Sequence, residues 1–180
     1  PMRVPDGVVE IFLQPGEWYF GDKHTRIRTV LGSCVSAVFW HPGARVGGMC
    51  HFMLPTRGER HGRRPDGRYG DEAFGLLLDE IHRAGLDTSG VRVRLFGGGD
   101  MFPGVVSGAT SKSVGRQNVE AALRLVERHR LLCSATHVEG YGHRHLIFDV
   151  WSGRVTMRHG VLPGPSRTTR KGISPCPPSR

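Results

Sequence analysis

The clearest regularity in the chain is an alternation of apolar and polar residues. Residues 26–31 place Ile27, Thr29 and Leu31 on one face and Arg26, Arg28 and Val30 on the other, the pattern of a half-buried strand. Gly32-Ser33 interrupts it and Cys34 follows at once. Apolar runs at 8–13, 35–40 and 46–54 are each stopped by a proline or a Pro-Gly pair and read as short strands. Residues 91–96 alternate and run into Gly97-Gly98-Gly99. Further strands are predicted at 132–138, 145–151 and 154–158, with Ser152-Gly153 turning the last two into a hairpin.

Two stretches carry a helical period instead. Over 71–84, Phe74, Leu77, Leu78 and Ile81 form one apolar stripe, with Asp71, Glu72, Asp79 and Glu80 on the wet side. Asp71 and Glu72 suit the positive helix start, and Gly85 suits its stop. Over 113–130, Val119, Ala122, Leu123 and Val126 form a second stripe, with Ser113 as the cap. Many strands and two amphipathic helices predict an α+β fold: one domain, an α/β sandwich with a mixed sheet, over residues 1–160. Residues 161–180 are rich in Pro, Ser and basic side chains, bury little, and read as a disordered tail that contains Cys176. Residues 56–68 are polar and basic without periodicity; they form either a solvated connection or a lid over whatever the preceding strand carries.

Composition narrows the partners only slightly. The 180 residues are 38% hydrophobic with a formal net charge of +9, enough for a core and biased towards acidic partners. A nucleic-acid surface would need a basic helix or an aromatic-studded basic sheet, and neither is evident, so no nucleic acid is expected. No run is apolar and long enough to span a bilayer, and the first residues lack the pattern of a secretory signal; this predicts no membrane insertion and residence in the cytoplasm. The four cysteines (Cys34, Cys50, Cys133 and Cys176) contain no C-x-x-C pair and are not a disulfide framework.

The chemistry-bearing candidates cluster early. Cys34 sits just past a strand and a glycine, beside exposed backbone N–H groups of the kind that stabilise an oxyanion. A thiolate is a strong nucleophile when a neighbouring His lowers its pKa. A buried structural cysteine is the plain alternative. His51 stands inside an apolar run, with Cys50 pointing to the opposite face, so only one of the two can face Cys34. No zinc-type spacing joins these residues to His143 and His145, and no metal or other cofactor is expected. Gly97-Gly98-Gly99-Asp100 matches no phosphate-binding pattern and reads as a close-approach loop near the site.

Five segments resemble the CheD family of chemotaxis proteins: TVLGSCVSAVFW (29–40), GGMCHFMLP (47–55), RYGDEAFGLLL (68–78), FGGGDMF (96–102) and SVGRQNVEAAL (113–123). The resemblance runs over about residues 10–160. It implies deamidation of glutamines on the cytoplasmic helices of methyl-accepting chemoreceptors, with ammonia released through a cysteine thioester. It also implies a fold like that of glutamine-deamidating toxin domains, and the phosphatase CheC as a further partner. The family's Cys–His pair maps onto Cys34 and His51, with an oxyanion held by the backbone at Ser33 and Cys34. Its third member, a threonine, is expected one residue before Thr29, where this chain has Arg28. Neighbouring strand residues face opposite ways, so Thr29 belongs either to the site or to the core with His51 oriented by another group. Two other activities share this resemblance: a receptor- or CheC-binding module with an unreactive Cys34, and a receptor methylesterase.

Overall fold

In the computed structural model, residues 2–59, 63–101 and 112–160 are described. Nine strands form two sheets. β1 (Val9–Leu13), β3 (Thr25–Leu31), β8 (His143–Asp149) and β9 (Arg154–Gly160) make a four-stranded sheet in the order β1-β3-β8-β9. β2 (Trp18–Gly21), β5 (Val46–Cys50), β4 (Val35–His41), β6 (Arg92–Gly97) and β7 (Leu132–Val138) make a five-stranded sheet in that order. Both sheets are mixed: β1 with β3 and β6 with β7 are parallel, and the other pairs are antiparallel. Helices α1 (Gly70–Arg83) and α2 (Val114–Arg128) lie against the five-stranded sheet. The result is one α+β domain, as expected. Among the described helices none is long and apolar enough to cross a membrane.

The layers follow from strand alternation. On β4, Val35, Ala37 and Phe39 face the helices and pack with Phe74, Leu77 and Val119. Val38 faces the other sheet and packs with Ile27, Leu31, Met49 and Phe148. The central strand is therefore buried on both faces and reads as a continuous apolar run, whereas β3 keeps its strict alternation because one face is wet. Phe39 meets Phe74 edge to face at 5.2 Å. The parallel pair β6 and β7 needs a crossover, and α2 supplies it.

Some expectations need correction. β2 is not among the predicted strands: WYFG is short and sits between turns, and it forms because it pairs with β5. Glu72 is not on the wet side of α1. It is 2% exposed, its carboxylate lies 2.8 Å from Arg57 Nε, and it accepts the Asp66 N–H at 2.6 Å. A buried carboxylate needs such partners, and here it anchors both ends of the basic loop rather than leaving the whole of it solvated. Leu123 is 44% exposed, and Leu125 takes the buried place on α2. His143 and Arg144 lie within β8, two residues earlier than the predicted start. Ser113 caps α2, accepting the Arg116 N–H at 3.3 Å, and Gly85 follows α1 in the left-handed region, both as expected. The predicted tail at 161–180, Cys176 included, lies outside the described residues.

Candidate active site

The site forms where β3 hands over to β4. β3 runs inside the four-stranded sheet, Gly32 and Ser33 carry the chain across, and Cys34 stands at the start of β4 in the other sheet. The ladder between β4 and β5 pairs Val38 with Met49 and ends on Val35 and Phe52, whose N–H and C=O groups exchange hydrogen bonds of 3.1 and 3.0 Å. That register places Ser36 opposite His51 and makes Cys34 a diagonal neighbour of His51 on the same face. The face is the one between the sheets, where Cys34 packs against the inter-sheet core. Cys50 points the other way, into the helix-side core.

Thr29 reaches the same place from β3. Its side chain is buried between the sheets, and its Oγ1 lies 2.7 Å from His51 Nδ1. The hydroxyl also donates to the Leu13 carbonyl at 2.9 Å. A hydroxyl has one hydrogen. With that hydrogen on Leu13, Thr29 accepts from His51, so Nδ1 carries the ring proton and Nε2 is left as a lone-pair acceptor. Arg28, one residue earlier, points outward and pairs with Glu10 at 2.7 Å. The alternation of β3 thus brings Thr29, not Arg28, to the histidine. The His51 backbone is also held on both sides: its N–H donates to Glu17 O at 2.9 Å and its carbonyl accepts from Gly16 at 2.7 Å.

Burial sets the charge state. His51 is 2% exposed, and desolvation pushes its pKa down to about 4, with only a small opposing pull from Glu17. Burial raises the Cys34 thiol as well, partly offset by the residue's own N–H beside the sulfur. Cys50, fully buried and donating to Ala37 O, is pushed up to about 12. Both shifts favour the neutral forms, a thiol and an imidazole that share one face of the sheet. Cys34 is half-buried and His51 lies deeper.

The glycine loop packs directly behind Cys34. Gly98 N–H donates to the Cys34 carbonyl at 2.8 Å and Gly99 N–H to the Gly32 carbonyl at 3.0 Å. Gly97 has φ 108, and a Cβ there would lie 2.2 Å from the Cys34 oxygen, so this backbone contact requires glycine. Ser33, the other expected backbone contributor, has its carbonyl held by Asn118 Nδ2 at 3.2 Å. Asn118 is not among the candidates that the sequence offers; its sign there is a polar residue in line with the apolar stripe of α2. Arg144, flanked by His143 and His145, turns inward and donates through Nε to His137 Nδ1 at 2.8 Å. Among the described residues no three His, Cys, Asp or Glu side chains cluster closely enough to hold a metal ion.

The model of a family described as CheD chemotactic sensory transduction matches residues 53–159. Probable chemoreceptor glutamine deamidases CheD from Pseudomonas savastanoi pv. phaseolicola and Pseudomonas syringae pv. syringae are each 49% identical over 158 residues, 88% of this chain and 89% of theirs. The chain belongs to the CheD family. A third relative of the same name, from Pseudomonas syringae pv. tomato, is 47% identical over 88% of this chain and 94% of its own. A match of 158 residues in a chain of 180 cannot start beyond Cys34, so these CheD alignments take in both Cys34 and His51. Among solved structures the chain is similar to a hypothetical protein YfiH from Bacillus licheniformis, with a TM-score of 0.41 and 10% identity over 68% of this chain and 49% of that one. That likeness is too loose to bear on the site.

Proposed function

We propose that this CheD protein is a cysteine-dependent glutamine deamidase acting on the cytoplasmic helices of chemoreceptors. The observation that carries the reading is the Thr29–His51 hydrogen bond, which leaves Nε2 as the ring's free acceptor on the face it shares with Cys34. His51 takes the Cys34 proton as the sulfur attacks the carbon of the glutamine side-chain amide. The carbonyl electrons move onto oxygen, where the N–H groups of Ser33 and Cys34 receive them. Protonated His51 gives its proton to the amide nitrogen, the C–N bond breaks, and ammonia leaves with a thioester on Cys34. Water then loses a proton to His51 and attacks the thioester, and the sulfur departs as a thiol once that proton returns to it. The product is glutamate, and no metal or organic cofactor takes part.

Thr29 positions the imidazole and fixes its tautomer. The expected likeness to deamidating toxin domains, cytoplasmic residence and CheC as a regulatory partner all belong to this reading. The same nucleophile would also open a methyl ester, with methanol leaving in place of ammonia.

The test is mass spectrometry of a chemoreceptor cytoplasmic fragment incubated with the protein, with Cys34→Ala and His51→Ala alongside. A gain of about one dalton per converted glutamine, the difference between amide and acid, is expected with the unmutated protein alone. A loss of about fourteen daltons per methylated glutamate, the difference between ester and acid, would mark the esterase instead. Full conversion by Cys34→Ala would overturn the scheme.

A further inference from the structure

Asn118 lies on the buried stripe of α2, is fully buried, and spends both N–H groups of its amide on backbone carbonyls. Nδ2 donates to Ser33 O at 3.2 Å and to Met53 O at 2.8 Å. Two carbonyl partners require two N–H donors, so the orientation of the amide is forced and Oδ1 is left buried with no hydrogen-bond partner. An apolar residue at this place would avoid an unpaired acceptor, and its presence calls for a reason.

The two carbonyls flank the site. Ser33 immediately precedes Cys34, and Met53 stands opposite Cys34 in the register of β4 and β5, two residues past His51. The amide thus joins the two strands just past Val35–Phe52, where their ladder ends. Helix α2 comes close enough because Gly115 meets Gly98: a Cβ on either would lie within 3 Å of the other's backbone oxygen. Asn118 is three residues further along that helix face.

With Asn118 in place, all three carbonyls of the 32–34 segment are engaged: Gly32 by Gly99, Ser33 by Asn118 and Cys34 by Gly98. Among the described residues the N–H groups of Ser33 and Cys34 donate to no backbone carbonyl, and the Cys34 N–H has only its own sulfur beside it. In a trans peptide the C=O and the following N–H point in opposite directions. Holding Ser33 O towards the helix layer therefore turns the Cys34 N–H towards the inter-sheet side, where the Cys34 sulfur lies.

We infer that Asn118 is a positioning residue that orients the Ser33–Cys34 peptide so that the Cys34 N–H serves as an oxyanion donor. The inference rests on the proposed deamidase reading and goes beyond it by assigning a residue on α2 to transition-state stabilisation. Asn118 touches neither substrate nor sulfur and acts through the peptide it holds.

The test separates a reaction that forms an oxyanion from one that does not. Alkylation of Cys34 by iodoacetamide is a direct displacement and needs no oxyanion donor, whereas deamidation does. Asn118→Leu, similar in volume and suited to the apolar stripe, and Asn118→Asp, nearly isosteric, are compared with the unmutated protein. Deamidation kcat is expected to fall on the order of 10²-fold, with KM and the alkylation rate each within about threefold. Equal losses of deamidation and alkylation would reduce Asn118 to a structural role, and unchanged deamidation in both variants would remove it from the reaction; either overturns the inference while leaving the deamidase reading intact. An unmutated protein that converts no receptor glutamine overturns the deamidase reading itself. If neither variant folds, the unmutated protein decides: a peptide aldehyde in place of the target glutamine should form a tetrahedral adduct on Cys34 and move the Cys34 amide proton downfield. An adduct without that shift overturns the inference.

Discussion

The two faces of the five-stranded sheet apply the same physical effect to opposite ends. On the helix side, burial drives Cys50 up to about 12 and leaves it a small core residue bonded to Ala37 O. On the inter-sheet side, burial drives the adjacent residue, His51, down to about 4 and leaves it a neutral ring with a defined tautomer. The faces differ in their exits and their polar partners. The helix side closes over Cys50 with Phe74, Leu77 and Phe52. The inter-sheet side admits Thr29 beneath the histidine and ends on a half-buried thiol. The two faces thus differ less in burial than in one fixed hydrogen bond and one open end.

The sharpest way to break this contrast is to treat the two thiols alike. Cys34→Ala is expected to reduce glutamine deamidation on the order of 10⁴-fold or more, and Cys50→Ala to leave it within about threefold, measured by mass spectrometry of a receptor fragment. Iodoacetamide is expected to label Cys34 in the folded protein and to spare Cys50; labelling of Cys50 at a similar rate would erase the distinction between the faces.

Next in size is the effect of acid on stability. The folded pKa of His51, about 4, lies below its unfolded value of about 6.5. Between these values the unfolded chain binds the extra proton, so stability falls as pH drops through this window, by roughly 3 kcal/mol in all. Urea unfolding across that range measures it. His129 and His137 are lowered too, mainly by burial, so the contribution of His51 is the difference from His51→Gln, which should flatten the curve by the largest single share. Parallel curves for the two proteins would mean that the imidazole is not held neutral by burial.

Removing the hydrogen bond under the ring tests the partner rather than the burial. Thr29→Val keeps the shape but deletes the acceptor for Nδ1–H, and kcat should fall on the order of 10²-fold with iodoacetamide still reaching Cys34. Arg28→Ala, on the outer face of the same strand, should change kcat by less than about twofold, and a larger effect there would point to Arg28 at the site after all. The smallest expected effect is on the helix side: Cys50→Ala should cost on the order of 1 kcal/mol of stability by opening a small cavity, read by denaturant midpoint.

How legible the protein was depended on whether a signal was local. The alternation of β3 and the two helical stripes are local, and they stood out because one face of each is wet. The order LGSC followed by HFMLP is also local, and it marked Cys34 and His51 before any geometry. β2 escaped because four residues between turns carry no period of their own; the partner strand makes it. Glu72 reads as a surface residue because a carboxylate at a helix start suits solvent, and its burial is made tolerable by Arg57 and the Asp66 N–H, which the loop brings back to it. Asn118 stands out locally only as a polar residue in line with the apolar stripe of α2, and its role is not legible there because its partners, Ser33 and Met53, are far away in sequence.

By itself, then, the amino-acid order determined the α+β class, the faces of the regular elements, the family, and the thiol and imidazole that carry the candidate chemistry. These follow from side-chain period, from turn residues and from motifs that lie within a few residues of each other. The tertiary structure decided that Thr29 rather than Arg28 meets the histidine, which ring nitrogen keeps its proton, and that a helix on the opposite face of the sheet holds the peptide before Cys34. Each of these depends on register between strands distant in the chain, and register is set by how both faces of the central sheet fill their cores at once.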